Sequence, residues 1–307
     1  MAEKDIMEKI LLSYADVFAD CENVLMYGGE QRLKAEEMQP APTESFYFTG
    51  AGSGGRGGMH NQFCDKSFYH VQGGKIKTQY ITENETQLER RQILRKASYQ
   101  GGAYRQQLDS GQEVYPVVSM VIDWTRKSSR IPLSLYELLR QDGAAQEELE
   151  LTDDMKMKVI HMNNLPEEVR RKFTSDIGFV ADYLNEGSFE SRKEQKIIHV
   201  EALCSMMEVL TGDSRFTESV GEMLKMQEGG REIVMCEYID MLEARGEARG
   251  KEIGKEMGKE MGKEIGENML TSLLTQLYAL GREADVKLAL EDKEARKQMY
   301  QEFCIMG

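Results

Sequence analysis

One segment constrains the fold of this chain more than any other, a nearly unbroken apolar run from Val114 to Trp124. A strand with one face in water alternates apolar and polar residues, whereas a strand covered on both faces is apolar almost throughout. The run therefore predicts a strand in the middle of a mixed sheet that has helices packed against it. The expected fold class is α/β.

Two shorter strand-like segments precede this run. Lys66–Val71 and Lys75–Ile81 are separated by Gln72-Gly73-Gly74, whose glycines supply the positive φ angles that a tight hairpin needs. Ser45–Thr49 is a further strand candidate, and residues 87–108 are predicted to form a charged helix. A hairpin, a helix and a buried strand in this order are typical of a sheet core flanked by helices.

The N-terminal part is interpreted by the same rules. Apolar residues at helical spacing over residues 3–20 predict an amphipathic helix, and no secretory signal is recognised there. Gly50–Gly58 is rich in glycine, but Met59-His60-Asn61 follows it instead of the Lys-Ser/Thr pair of a phosphate-binding loop. This glycine-rich segment is expected to be a flexible surface loop.

From about residue 130 the pattern changes to successive helices, predicted over residues 165–185, 191–211, 214–227 and 231–266. Within the last of these, glycine recurs at every fourth position from Gly246 to Gly266, with Lys-Glu pairs in between. A period of four overshoots the 3.6-residue turn, so an apolar stripe with this period drifts by roughly 40° per repeat. The repeat either packs its glycines against another chain or forms a solvated extension. Residues 268–290 regain apolar spacing and are a candidate self-association helix.

The distribution of charge bears on the class of partner. The net charge of −14 argues against nucleic acid, but residues 56–108 contain nine basic and four acidic side chains, a local net charge of +5. A phosphate backbone responds to local basic surface because salt screens charges that are more than about 10 Å away. The alternative is an ordinary solvated helix face.

The cysteines and the hydropathy bear on the compartment. The five cysteines are far apart and include no CxxC pair, which favours reduced thiols over a disulfide framework or a zinc finger. No segment approaches the roughly 20 apolar residues that a membrane-spanning helix needs. A cytoplasmic protein without membrane association is therefore expected.

Three carboxylates form the candidate site. Asp65 begins the first strand of the predicted hairpin and Glu83 follows the second, so antiparallel pairing brings them together at one rim of the sheet. Alternation places Glu85 on the same face as Glu83. Converging carboxylates repel one another unless a cation lies among them, and hard oxygen ligands suit Mg²⁺ or Mn²⁺. Such a cation can activate water and stabilise charge on a phosphodiester, whereas the alternative is three polar residues that merely end strands.

The basic helix that follows this site carries the candidate contacts to a phosphate backbone. They are Arg90, Arg91, Arg95 and Lys96. His60, Cys64 and His70 lack the paired spacing of a zinc site. His161 and His199 are interpreted as surface or core histidines, because no Ser or Cys partner suggests a catalytic triad.

Further segments match a known pattern along nearly the whole chain. They are Lys4–Lys9 with Asp16–Asp20, Gly28–Gln31, Glu83–Glu85, Tyr99–Leu108, Tyr115–Val118 and residues 163–227 with the glycine repeats. Together they resemble the recombination-promoting nuclease and putative-transposase branch of the PD-(D/E)XK nucleases. The resemblance implies a restriction-endonuclease-like mixed sheet core flanked by helices over residues 1–130. An all-helical C-terminal half is expected to follow, with an accessory region at 131–230 and a Gly-Lys-Glu repeat helix and tail at 231–307.

The resemblance also implies Mg²⁺- or Mn²⁺-dependent cleavage of DNA, with Asp65 and Glu83 as metal ligands. Glu85 matches the third catalytic position, which is Lys in the wider superfamily and commonly Gln in this branch. A Glu there adds negative charge, so Glu85 is either a further ligand or base, or the mark of a weakened site. Asp5 or Glu8 is a candidate for an additional carboxylate.

Two functions stay open on these grounds. The first is a DNA endonuclease, and the second is a catalytically degenerate DNA-binding or interaction protein on the same fold. In either case the C-terminal helices are candidates for forming a homo-oligomer. Recombination or transposition is implied by the name of the family alone.

Overall fold

The computed structural model describes residues 10–49, 58–111, 113–125 and 130–305, and only the backbone of residues 45–49 and 58–62. The start of the predicted N-terminal helix, with Asp5 and Glu8, and nearly all of the glycine-rich loop lie outside the described residues. The chain divides into two compact units, Met1–Met241 and Leu242–Gly307.

The first unit contains the strands. In chain order they are β1 (Met38–Pro40), β2 (Glu44–Thr49), β3 (Gly58–Phe63), β4 (Lys66–Gln72), β5 (Lys75–Glu85), β6 (Val117–Asp123), β7 (Val159–His161), β8 (Lys196–Ile197) and β9 (Ile233–Val234). Five of them form a mixed sheet with the order β1-β4-β5-β6-β7, and β2-β3 and β8-β9 are separate antiparallel pairs.

Helices cover most of the remaining chain. In chain order they are α1 (Ala15–Tyr27), α2 (Gln92–Ser110), α3 (Leu135–Gln141), α4 (Gln146–Glu150), α5 (Glu167–Arg170), α6 (Ile177–Glu186), α7 (Val200–Thr211), α8 (Arg215–Glu218), α9 (Val220–Glu228), α10 (Met235–Ala279), α11 (Glu283–Glu291) and α12 (Lys293–Glu302). Short 3-10 turns lie at Ala35–Glu37, Met162–Asn164 and Glu190–Arg192.

The predicted buried strand and hairpin are both confirmed. Strand β6 lies between β5 and β7, parallel to both, and Val121 and Ile122 are fully buried. Strands β4 and β5 pair antiparallel, and Gly73 and Gly74 turn the chain between them with φ angles of 60° and 74°. A side chain at either glycine would strain the turn.

Helices cover both faces of the sheet. Helix α1 covers one face, where Phe18 packs with Phe68 and Tyr80. Helix α2 covers the other face, where Tyr99 packs with Ile81. Because residues alternate between faces along a strand, the odd-numbered residues at the end of β5 face α2 and the even-numbered ones face α1.

The helical half differs in detail from the prediction. The expected helix over residues 165–185 is divided into α5 and α6, because the turn between them is held by a distant side chain. The carboxylate of Asp20 on α1 accepts hydrogen bonds from the backbone N–H and hydroxyl groups of Thr174 and Ser175. The expected helix over 191–211 begins only at Val200, since residues 196–197 form β8.

The C-terminal unit has an apolar cluster of its own. The cluster is formed by Leu273, Leu277, Val286, Ala289 and Met299. Helices α11 and α12 thereby cover Leu273 and Leu277 within the same chain, so the expected self-association through residues 268–290 stays a prediction. No helix in the described ranges combines the length and apolar content that crossing a bilayer requires.

The carboxyl group of Glu22 on α1 is buried against the sheet. Its Oε1 accepts a hydrogen bond of 2.8 Å from the Thr82 hydroxyl, and its Oε2 has no hydrogen-bond partner in the described part of the chain. Burial raises the pKa of Glu22 from 4.5 to about 7. In the folded protein this group therefore keeps its proton to higher pH than it does in the unfolded chain.

Glu22→Gln is expected to make stability less dependent on pH. Between about pH 4.5 and 7 the folded wild-type chain holds a proton at Glu22 that the unfolded chain has lost, so stability falls as pH rises. The shift corresponds to roughly 3 kcal/mol, and the variant should therefore lose less stability than wild type between pH 5 and 8 in urea unfolding. Glu201→Gln, at an exposed carboxylate, should behave like wild type. Equal pH dependence in all three proteins would contradict this prediction.

Candidate functional site

The hairpin brings Asp65 and Glu83 together at the rim of the sheet. The backbone N–H of Asp65 donates a hydrogen bond to Glu83 Oε1 at 3.1 Å, and the backbone N–H of Asn84 donates to Asp65 Oδ2 at 2.7 Å. These two bonds join the beginning of β4 to the end of β5. Asp65 and Glu83 therefore lie side by side at the rim, as the sequence predicts, and their role as a metal-binding pair stays a prediction.

Glu83 is buried, and only one of its two carboxylate oxygens accepts a hydrogen bond from the described residues. It is 2% exposed, and its Oε2 has no hydrogen-bond partner among the described residues. Arg95 Nη2 lies 3.6 Å from that oxygen. Burial, followed by the negative charge of Asp65, raises the pKa of Glu83 to about 8. The carboxyl group therefore keeps its proton to higher pH than a free glutamate does, and a metal ion beside it would favour the charged form.

Glu85 lies on the same face as Glu83 and contacts helix α2. Arg95 Nη1 lies 2.9 Å from Glu85 Oε1, and Gln92 Nε2 donates a hydrogen bond of 2.6 Å to the same oxygen. Burial raises the pKa of Glu85, and the Arg95 charge and the Gln92 hydrogen bond oppose this effect. The negative charge at the third predicted site position is thus offset by an arginine from a neighbouring helix.

Three of the four basic residues predicted to contact phosphate form hydrogen bonds or ion pairs within the chain. Arg90 Nη2 donates to Asp142 Oδ1 at 2.6 Å, and Lys96 Nζ donates to the Lys156 carbonyl at 2.8 Å. Arg95 pairs with the site carboxylates but keeps 40% of its side chain exposed. Arg91 is exposed at the start of α2. Arg90 keeps 43% of its side chain exposed, so Arg90 and Arg91 are at least as open to solvent as Arg95.

The donor set limits what kind of cation fits here. In the described ranges, no group of three or more histidine, cysteine, aspartate or glutamate side chains is arranged to hold a metal ion. Asp65 and Glu83 offer two carboxylates, while the Oε1 of Glu85 contacts Arg95 and Gln92. Mg²⁺ usually keeps several water molecules and binds through one or two carboxylates together with substrate phosphates. The pair fits a hydrated ion of this kind and does not fit a cage made only of protein ligands.

Two further residues lie at the same rim, and the sequence marks neither of them as part of the site. Asp123 at the end of β6 is fully buried, and its Oδ2 lies 2.7 Å from Nδ1 of His161 at the end of β7. From the sequence His161 is interpreted as a surface or core histidine, and Asp123 is not recognised as its partner. An aspartate that ends the most apolar strand is the signal that could have found it, because an unpartnered carboxylate is rarely buried.

Two of the three residues that lack the spacing of a zinc site make other contacts in the described part. His70 Nε2 contacts Glu37 Oε2 at 3.1 Å, Cys64 is buried in an apolar cluster, and the side chain of His60 lies outside the described residues. The chain matches no protein-family model, no curated protein and no solved structure.

Proposed function

We propose that this chain is a metal-dependent DNA endonuclease of the PD-(D/E)XK type, in which Asp65 and Glu83 bind Mg²⁺ or Mn²⁺. The observation that carries the proposal is the buried Oε2 of Glu83, which has no hydrogen-bond partner in the described residues and lies 3.6 Å from Arg95 Nη2, while the other oxygen accepts a hydrogen bond from the Asp65 backbone N–H. A buried polar atom without a partner costs roughly 1–3 kcal/mol. A cation between the two carboxylates would remove that cost.

The mixed sheet supports the same proposal. An antiparallel hairpin followed by a helix and a buried parallel strand, with acidic residues at the rim, is the arrangement expected of a restriction-endonuclease-like core. In that core the hairpin carries the site, and helices on both faces keep the sheet rigid. The site therefore lies on strands, which hold side chains more precisely than loops do.

Each residue of the site has a defined task in the proposed reaction. The bound ion would polarise the phosphodiester and activate water. Asp65 is oriented by the N–H of Asn84, and Glu83 is oriented by the N–H of Asp65. Arg95 offsets the charge of Glu85 and is exposed enough to face a phosphate oxygen. It thereby supplies the positive charge that a Lys at the third motif position would bring.

One observation favours the second candidate function, a DNA-binding or interaction protein without cleavage. The guanidinium of Arg95 contacts both Glu83 and Glu85, so part of the negative charge is already neutralised inside the chain. A metal ion would therefore gain less electrostatic stabilisation at this site. Salt-sensitive DNA binding would persist through the basic residues of α2.

Metal dependence separates the two functions. The purified wild-type chain is expected to nick supercoiled plasmid DNA in Mn²⁺ or Mg²⁺, and EDTA should reduce nicking by at least about 100-fold, because metal catalysis supplies several kcal/mol. Gel electrophoresis of fractions from a final size-exclusion step measures whether nicking follows the protein. Salt-sensitive binding without nicking at any Mn²⁺ concentration would contradict the endonuclease and support the alternative.

A further inference from the structure

The carboxyl ends of three neighbouring strands carry a row of polar residues. In the parallel pairing Glu85 is the register partner of Asp123, and Asp123 is the register partner of His161. Neighbouring strands lie about 4.8 Å apart, so the backbone of His161 is about 10 Å from that of Glu85. The row from Glu85 to His161 therefore spans about 10 Å of the rim.

Asp123 holds His161 in one orientation, and the two residues are called the dyad below. Asp123 Oδ1 accepts a hydrogen bond of 2.9 Å from the backbone N–H of Thr125, and its Oδ2 lies 2.7 Å from His161 Nδ1. A carboxylate at Nδ1 fixes a proton on that nitrogen and leaves Nε2 as the atom that exchanges protons. The His161 side chain is 34% exposed, so a substrate can reach the ring.

The dyad lies on the same face of the sheet as Glu83. Val121 and Val159, two positions before the dyad residues on their strands, pack in one cluster with Ile93 of α2. Residues two apart along a strand share a face, so the dyad also lies on the α2 side. Arg95 from the same helix contacts Glu83. The carboxylate pair and the dyad thus flank one stretch of the rim.

We propose that His161 is a catalytic acid for phosphodiester cleavage and that Asp123 is its positioning residue, an inference that rests on the proposed function. In an in-line displacement the attacking and leaving oxygens lie on opposite sides of phosphorus. Asp65 and Glu83 lie at the β4–β5 end of the rim, and His161 lies at the β7 end. A phosphodiester bound between them has the carboxylate pair on one side and the imidazole on the other.

The proton transfer completes the hydrolysis. The oxygen of water forms a bond to phosphorus, and the bond from phosphorus to the leaving oxygen breaks with its electron pair on that oxygen. The Nε2–H of the His161 imidazolium gives its proton to this oxygen, which departs as an alcohol. The attacking water loses one proton to solvent, and the imidazole regains one from solvent. Asp123 stabilises the charged ring, as a carboxylate does in other aspartate–histidine pairs.

Two substrates with different leaving groups test this role. His161→Gln should lower kcat for plasmid nicking by about 100-fold, because acid catalysis contributes 10²–10⁴-fold. The same variant should hydrolyse bis(4-nitrophenyl) phosphate within about threefold of wild type, since nitrophenolate leaves without needing a proton. Asp123→Asn should show the same dependence on the leaving group.

His199→Gln is the matched control, because His199 Nε2 also contacts a carboxylate, Asp16 Oδ2, at 2.9 Å. It should retain wild-type rates with both substrates. Equal losses on both substrates in His161→Gln would show a structural role and overturn the proposal, and so would an unchanged rate of plasmid nicking. If the wild-type chain cleaves neither substrate, the proposed function fails and this inference fails with it.

Discussion

Glu83→Gln is expected to lower metal-dependent nicking by at least about 100-fold while the chain stays folded, because the loss of a metal ligand removes several kcal/mol of catalysis. The substitution keeps the size of the side chain. Its amide oxygen can still accept the hydrogen bond that the Asp65 backbone N–H donates to Glu83 Oε1. What the variant lacks is the negative charge that a cation requires.

The raised pKa of Glu83 explains why the fold should survive. Since the pKa of this carboxyl is raised to about 8, its protonated form persists to higher pH than in a free glutamate, and Gln resembles that form. The free energy of unfolding should therefore change little without metal. Asp65→Ala should also lose nicking, although it removes the acceptor for the Asn84 N–H as well.

Glu113→Gln is the control for the loss of a negative charge. Glu113 is an exposed carboxylate that contacts Lys75 Nζ at 3.2 Å. Nicking by this variant should equal that of the wild-type chain. Wild-type nicking by Glu83→Gln, measured on plasmid DNA in Mg²⁺ and Mn²⁺, would mean that this carboxylate has no part in the reaction.

Asp182→Ala is expected to lower the free energy of unfolding of the first unit by about 3–5 kcal/mol, the usual cost of removing one partner from a buried ion pair. Asp182 lies between two arginines whose side chains are each 8% exposed. Arg170 Nε donates to Oδ1 at 3.0 Å, and Arg192 Nε donates to Oδ2 at 2.6 Å. Alanine would leave both guanidinium groups buried without this carboxylate.

Close packing keeps the side chains around Asp182, those of Arg170 and Arg192, from rearranging. A Cβ atom at Gly178 would lie 2.5 Å from Arg192 Cζ, so the helix passes directly against the guanidinium. Urea unfolding followed by circular dichroism measures the loss of stability. Glu167→Ala is the matched control, because Glu167 and its partner Arg171 are both more than half exposed and should contribute less than about 1 kcal/mol. A loss below about 1 kcal/mol in Asp182→Ala would contradict the prediction.

Local patterns predict the part of the site that lies on one hairpin. Gly73 and Gly74 define the turn, and alternation along β5 then places Glu83 beside Asp65 and on the same face as Glu85. These relations depend only on neighbouring residues and on the geometry of a strand. They are therefore accessible from the sequence.

Other parts of the site depend on packing between distant segments. The contact of Arg95 with Glu85 requires that α2 lie across the sheet, and the contact of Asp123 with His161 requires that β7 lie beside β6. Asp20 interrupts a predicted helix by holding Thr174, 154 residues further along the chain. Neither periodicity nor spacing contains this information.

The proposed cation site can be tested without any DNA. Isothermal titration of the metal-free wild-type chain with Mn²⁺ is expected to show one site, and Glu83→Gln should bind at least about tenfold more weakly. Glu113→Gln should bind like the wild-type chain. Equal Mn²⁺ affinity in wild type and Glu83→Gln, or no binding by the wild-type chain, would contradict the claim that Asp65 and Glu83 hold a metal ion.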